Sequence, residues 1–177
     1  MRYVALLRGI GPTNPNMRSD KLRGVIEELG FSDVQTVIST GNVVFDGDSG
    51  DVGELEARIE AAWPEKLGFT STTIVRTADQ IRDLVARDPF ADRDETPDTS
   101  WQVTLLKHEP HDALEVPFTS EGGEFTVVAF DDRSICTVVD MTRSRTPDLM
   151  RWMEKAFGKE ITTRTWKTVH RIVRKLA

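Results

Sequence analysis

Thr162-Thr163-Arg164-Thr165-Trp166-Lys167-Thr168 sets four hydroxyls, two cations and an indole side by side, at what reads as a strand-to-helix junction. A strand ending at Arg164 and a helix running from Trp166 to about Leu176 would present free backbone N–H groups where the helix begins, and such termini attract anions. Arg164 and Lys167 would reinforce that field. The plainer account makes Thr165 an N-cap, Trp166 a core residue and the cations solvated surface. Three further polar stretches emerge from apolar strands. Arg8 ends one strand, Ser39-Thr40-Gly41-Asn42 follows another, and Arg143-Ser144-Arg145 follows a third. The chemistry these residues suggest is a clamp in which Arg8, Arg145 and Arg164 hold a phosphate or carboxylate while the hydroxyl of Ser39 or Thr40 orients it. Asn42, Trp166 and Lys167 complete the expected ligand-binding set. No general base belongs to it, so binding is better supported than catalysis.

Other chemistries find less support. His108-Glu109-Pro110-His111 lacks the helical spacing of a two-histidine metal motif, and Pro110 blocks a helix there. Asp46-Gly47-Asp48-Ser49-Gly50-Asp51 lacks the closing bidentate Glu of a calcium loop. There is no nucleophile elbow, Walker loop or dinucleotide fingerprint, and Gly9-Ile10-Gly11 has neither the third Gly nor the Lys of a phosphate loop. Neither a metal nor a cofactor is expected. The lone Cys136, in the strand-like run Ser134 to Val139, reads as a buried thiol rather than a nucleophile.

The chain has 177 residues, 38% of them hydrophobic, enough to bury a core as one domain or two small ones. Its formal net charge is -6, which disfavours indiscriminate coating of nucleic acid. The charge is unevenly spread. From Arg143 to Ala177 there are ten Lys or Arg against three Asp or Glu, so the acidic excess lies in the residues before. The apolar run near the N-terminus is too short for a signal peptide, and no stretch approaches membrane-spanning length. With a single cysteine, a reducing cytoplasm is the expected compartment, without membrane association.

The elements that would position these residues follow from periodicity. Arg2 to Arg8 is apolar on both faces, the mark of a central strand. Ser19 can cap a helix carrying Leu22, Val25, Ile26 and Leu29, stopped by Gly30. Val34 to Thr40 and Val43 to Asp46 form a hairpin around Gly41-Asn42. A helix from about Asp51 buries Leu55, Ile59, Ala62 and Trp63, and Pro64 should kink or end it. Thr70 to Arg76 is a strand, and Thr77-Ala78-Asp79-Gln80 is a capping box for a short helix. Residues 91–100 are acidic, without apolar period, and read as an exposed linker.

The second half repeats the order: strands at Trp101 to Leu106, Glu124 to Phe130 and Ser134 to Val139, with a turn at Asp131-Asp132. A helix starts at Thr146-Pro147-Asp148, a strand spans Ile161 to Arg164, and the helix from Trp166 closes the chain. His111 to Leu114 would begin a poor first helix. The fold class is therefore α+β, two ferredoxin-like βαββαβ halves with antiparallel sheets plus a C-terminal helix. Residues 1–90 form the first with its short following helix, 91–100 the linker, and 101–177 the second. Helices cover one face of each such sheet, so the doubly apolar strands imply that the sheets pack on each other or on a partner subunit. That weakens an RNA platform of open-sheet aromatics, for which Tyr3 and Phe45 are the candidates in the first half and core packing explains both.

Tyr3-Val4-Ala5-Leu6-Leu7-Arg8-Gly9-Ile10, Ser39-Thr40-Gly41-Asn42-Val43-Val44-Phe45 and Thr162 to Val169 together resemble the bacterial family called domain of unknown function 1697, nearly end to end. The resemblance implies two ferredoxin-like halves and no established activity. Where the family typically continues Arg-Gly-Ile with Asn and a Gly-rich basic loop, Gly11-Pro12-Thr13-Asn14-Pro15-Asn16 stands here. Thr165 and Lys167 occupy positions where the family usually has Asn. The functional expectation is a small anionic ligand. The rivals are a nucleic-acid module using Lys167, His170, Arg171, Arg174 and Lys175 of the C-terminal helix, and an interaction module that forms a homo-oligomer through sheet faces.

Overall fold

The computed structural model describes residues 1–131, 133–143 and 146–177. They form a mixed α/β chain with two antiparallel sheets. It divides into two compact units, Met1–Asp83 with His170–Ala177, and Leu84–Val169. The divide expected at 91–100 thus falls earlier in the chain, and the end of the C-terminal helix groups with the first unit rather than the second.

In the first unit, β1 (Arg2–Leu7), α1 (Ser19–Glu28), β2 (Ser32–Thr36), β3 (Asn42–Asp46), α2 (Val52–Leu67) and β4 (Thr73–Thr77) follow in order. The strands lie β2-β3-β1-β4, each neighbouring pair antiparallel. Tyr3, Ala5 and Leu7 share a core with Leu22, Val25 and Ile26 of α1 and Leu55, Ile59 and Trp63 of α2. The strand's period of two and the helix's period of 3.6 put these on facing surfaces. Val4 and Leu6, on the opposite face, are buried as well. Tyr3 and Phe45 stack inside the core at 5.6 Å and are fully buried, so neither offers an open ring to a base.

Three local expectations change. Arg18, not Ser19, holds the N-cap of α1, with no side-chain cap bond. Pro64 does not end α2, which runs to Leu67 and stops at Gly68. A proline forfeits its own N–H bond, and the left-handed Gly68 (φ 75°) recovers the last turn by donating to the carbonyls of Trp63 and Pro64. The first hairpin is longer than a two-residue turn. Val37 N–H bonds the carbonyl of Asn42 at 2.9 Å, leaving Ile38 to Gly41 as the loop and Asn42 inside β3.

At the edge strand β4, side chains take up backbone donors. The N–H groups of Thr73, Val75 and Thr77 donate to Glu60 Oε1 (2.7 Å), Glu56 Oε1 (2.9 Å) and Gln80 Oε1 (3.0 Å). Blocking an edge in this way removes a template for strand addition. The Gln80 bond is half of the expected capping box. Gln80 N–H returns to Thr77 Oγ1 at 3.2 Å and opens α3 (Ala78–Ala86).

In the second unit, β5 (Thr99–Leu106), β6 (Phe118–Thr119), β7 (Phe125–Asp131), β8 (Ser134–Asp140), α4 (Thr146–Phe157) and β9 (Ile161–Thr165) precede α5 (Trp166–Leu176). The order is β6-β7-β8-β5-β9, again antiparallel throughout. Leu106, Val127, Ile135 and Val139 pack with Leu149 and Met153 of α4. The helix expected near His111 to Leu114 does not form. Residues 107–117 are turns and irregular backbone, as Pro110, Pro117 and the missing apolar period dictate. The residues just before Thr99, where β5 already begins, are turns and irregular backbone. Asp132, in the expected second hairpin turn, lies outside the described residues. Among those described, no helix is long and apolar enough to cross a membrane.

Candidate functional site

The first unit gathers one of the predicted polar groups. Leu7 N–H bonds the carbonyl of Gly41 at 2.9 Å, which brings the end of β1, and so Arg8, beside the loop carrying Ser39 and Thr40. Gly41 is required there: its φ is 80°, and a Cβ on it would lie 2.7 Å from Ile10 Cγ1. Arg8 is anchored through its backbone, its N–H to the carbonyl of Thr72 at 2.9 Å and its carbonyl to Ser71 Oγ at 2.7 Å. Asn42 is buried, and its amide donates to the carbonyl of Val37 (3.0 Å) and to Thr40 Oγ1 (3.1 Å). It shapes the loop from inside β3. Ser39 and Thr40 are exposed, and Ser39 makes no hydrogen bond within the described residues.

Beside this loop is a cleft of about 420 Å³ lined by Thr36, Val37 and Ile38 on one side and Arg171, Arg174 and Lys175 on the other. The cations stand at i, i+3 and i+4 of α5, so they share one face. All three are exposed, and among the described residues none of their side chains meets an acidic partner. A helix C-terminus attracts cations by itself, which is the plain reason to find them there. Here that attraction is already met. The carbonyls of Lys175 and Leu176 accept from Arg2 Nη2 and Arg82 Nη2. Those two guanidiniums are in turn paired, Arg2 with Asp33 (2.7 Å) and Asp46 (3.3 Å), Arg82 with Asp79 (3.0 Å). Arg171, Arg174 and Lys175 are therefore left as uncompensated positive charge around the hollow.

The second unit treats its predicted residues differently. Arg164 is 8% exposed, and its Nη1 donates to Thr162 Oγ1 at 2.7 Å and to the carbonyl of Thr163 at 2.9 Å. Burial lowers its pKa to about 10. Trp166 is also 8% exposed and meets Phe90 edge-on at 5.1 Å, while Phe90 stacks on Trp101 at 4.9 Å. Thr165 Oγ1 accepts the N–H of Thr168 at 3.3 Å, so one donor of the helix start is already used. Lys167 is exposed. Arg145 lies outside the described residues. The hydroxyl-rich junction is thus a capped, partly buried helix start. Thr165→Ala should lower stability by about 1 kcal/mol in urea unfolding, the usual value of a lost cap.

Cys136 is buried, and burial pushes its thiol up to about 12, consistent with a structural residue and inconsistent with an activated nucleophile. The cleft's two sides were individually visible in the sequence, as a hairpin and a basic helix. Their meeting was not, because nothing in the periodicity of α5 says which sheet its end accompanies.

Comparison with known proteins agrees on fold and is silent on activity. No curated protein matches the chain. The structure of the conserved bacterial protein SP0830 from Streptococcus pneumoniae is similar, with a TM-score of 0.71 at 18% identity over 99% of this chain and 98% of that one. At that identity the likeness establishes the fold. The model of a family described as a protein of unknown function, DUF1697, matches residues 1–135, a span that holds the Arg8 and Ser39 to Asn42 stretches and ends before Thr162. The chain belongs to the DUF1697 family.

Proposed function

We propose that this protein binds a small phosphate- or carboxylate-bearing ligand in the first-unit cleft, with Arg171, Arg174 and Lys175 supplying charge and Ser39 or Thr40 supplying hydroxyls at its rim. The observation that carries this reading is the set of three cationic side chains on one helical face, without acidic partners among the described residues, around a hollow. Arginine forks match planar oxyanions in two-point hydrogen bonds, and two lie one turn apart here. Arg8 adds positive charge at the same sheet end. Arg164 acts in the second unit as a buried structural cation.

The strand orders support reading each unit as a ferredoxin-like half. In the first, β2-β3-β1-β4 is the plait order; in the second, β7-β8-β5-β9 repeats it with β6 and a loop replacing one helix. A buried lone thiol suits a cytoplasmic protein.

Thermal unfolding in the presence of inorganic phosphate, pyrophosphate, citrate and adenosine monophosphate tests the function, on wild type and on Arg171→Glu/Arg174→Glu. A ligand at about a hundred times its dissociation constant adds roughly 2.7 kcal/mol and raises the midpoint visibly. Wild type should respond to at least one anion and the double variant to none. Equal responses, or none in wild type, would remove the reading. A steep salt dependence with single-stranded oligonucleotides and no response to small anions would favour nucleic acid instead.

A further inference from the structure

In the first unit two helices, α1 and α2, join the sheet residues in one core. In the second unit the connection from β5 to β7 contains no helix among the described residues, and α4 joins the sheet residues in the core. Residues 108–114 of that connection, together with the end of α4 and the residues after it, line a cavity of about 590 Å³, a size suited to a small molecule. One wall is apolar: Leu106, Leu114, Trp152 and Phe157. Trp152 is half-buried although it touches Phe118 at 5.3 Å and Phe125 at 5.0 Å, so an aromatic edge remains for a ligand.

The rest of the lining is rich in acceptors. Glu109, Asp112 and Glu160 line it against a single ammonium, Lys159, together with His108 and His111. Glu109 is held by Arg133 at 3.5 Å. Glu160 Oε2 is 2.8 Å from His108 Nε2, and its other oxygen is 4.0 Å from Lys107 Nζ. Asp112 makes no hydrogen bond or ion pair among the described residues. The geometry points to a second ligand site, which takes a small aromatic amine: the ring lies on Trp152 and Phe157, and the ammonium meets Asp112 and Glu160. Cation and ring then each find their complement, since carboxylates accept ammonium donors and an indole edge meets the face of an aromatic ring. This site lies wholly in the second unit and does not depend on the anion cleft.

Phenethylamine and phenylacetate, alike in ring and opposite in charge, are the probes. The indole N–H resonance of Trp152, assigned with a Trp152→Phe variant, should move saturably with phenethylamine and stay in place with phenylacetate. Asp112→Asn and Glu160→Gln are changes at exposed positions, and each should weaken phenethylamine about tenfold, the worth of one charge-assisted hydrogen bond. A Trp152 resonance that phenethylamine leaves unmoved, equal effects of the two probes, or affinity unchanged in both variants would overturn the assignment.

Discussion

Trp63→Ala is expected to destabilise the first unit by about 3–5 kcal/mol, the range for truncating a large aromatic in a packed core. Trp63 is fully buried, stacks on Phe69 with ring centres 5.9 Å apart, and belongs to the core that joins α2 to the sheet. Its Nε1 donates to Thr73 Oγ1 at 2.9 Å. Thr73 itself sits in β4, where Glu60 accepts its N–H. The substitution therefore opens a cavity and withdraws a donor from a buried hydroxyl on the same edge strand. Trp63→Phe separates the two effects. It keeps most of the ring and loses the hydrogen bond, and should cost about 1–3 kcal/mol. Urea unfolding followed by circular dichroism measures both. A loss below about 1 kcal/mol for alanine would mean that the core closes over the gap, contrary to the packing of α2 described here.

Arg171→Glu/Arg174→Glu is expected to weaken anion binding at least about a hundredfold while leaving the fold intact. Each guanidinium contributes a charge-assisted hydrogen bond worth roughly 1.5–3 kcal/mol, and a tenfold change in affinity corresponds to about 1.4 kcal/mol. Reversal also repels the ligand. Both side chains are exposed and, among the described residues, without acidic partners, so stability should change by less than about 1 kcal/mol, the helix end losing some of its preference for cations. The wild-type affinity should fall with salt, though less steeply than for a nucleic acid, because a small anion releases fewer counterions. Calorimetry with pyrophosphate reads affinity directly, and a double variant that binds as wild type does would place the anion elsewhere.

Periodicity made most elements legible. The doubly apolar Tyr3 to Leu7 marks a strand buried on both faces, Thr77 and Gln80 signal their reciprocal cap, and the apolar stripe of Trp166, Val169, Ile172 and Leu176 marks α5. Legibility failed where tertiary context outweighs a local rule. Pro64 reads as a kink or a helix end because the rule concerns its missing N–H, yet α2 runs on and Gly68 four residues later supplies the stop. Gly41-Asn42 reads as a tight turn because both residues tolerate positive φ, whereas the buried amide of Asn42 holds a longer loop from inside β3.

The candidate site was legible in its ingredients and not in its assembly. At 162–168 the plainer account already made Thr165 an N-cap and Trp166 a core residue, and the structure has Thr165 accepting from Thr168 and Trp166 buried. What the sequence does not carry is the burial of Arg164, turned onto Thr162 and Thr163 rather than left as solvated surface. Arg171, Arg174 and Lys175 read as part of a basic helix suited to nucleic acid, since sequence carries no signal for the neighbouring Thr36 to Ile38. The 590 Å³ cavity follows from an element that did not form, which a weak helix signal at His111 to Leu114 could only hint at.

The most direct test of the cleft is a titration of the isotopically labelled protein with pyrophosphate, following backbone amides and arginine side-chain N–H groups together. The account predicts saturable shifts at Val37, Ile38, Ser39 and Thr40 and at the side chains of Arg171 and Arg174, with one dissociation constant fitting all. Shifts centred instead on Lys167 and Thr168 would return the site to the helix start, and a spectrum unchanged by pyrophosphate would contradict anion binding at the cleft.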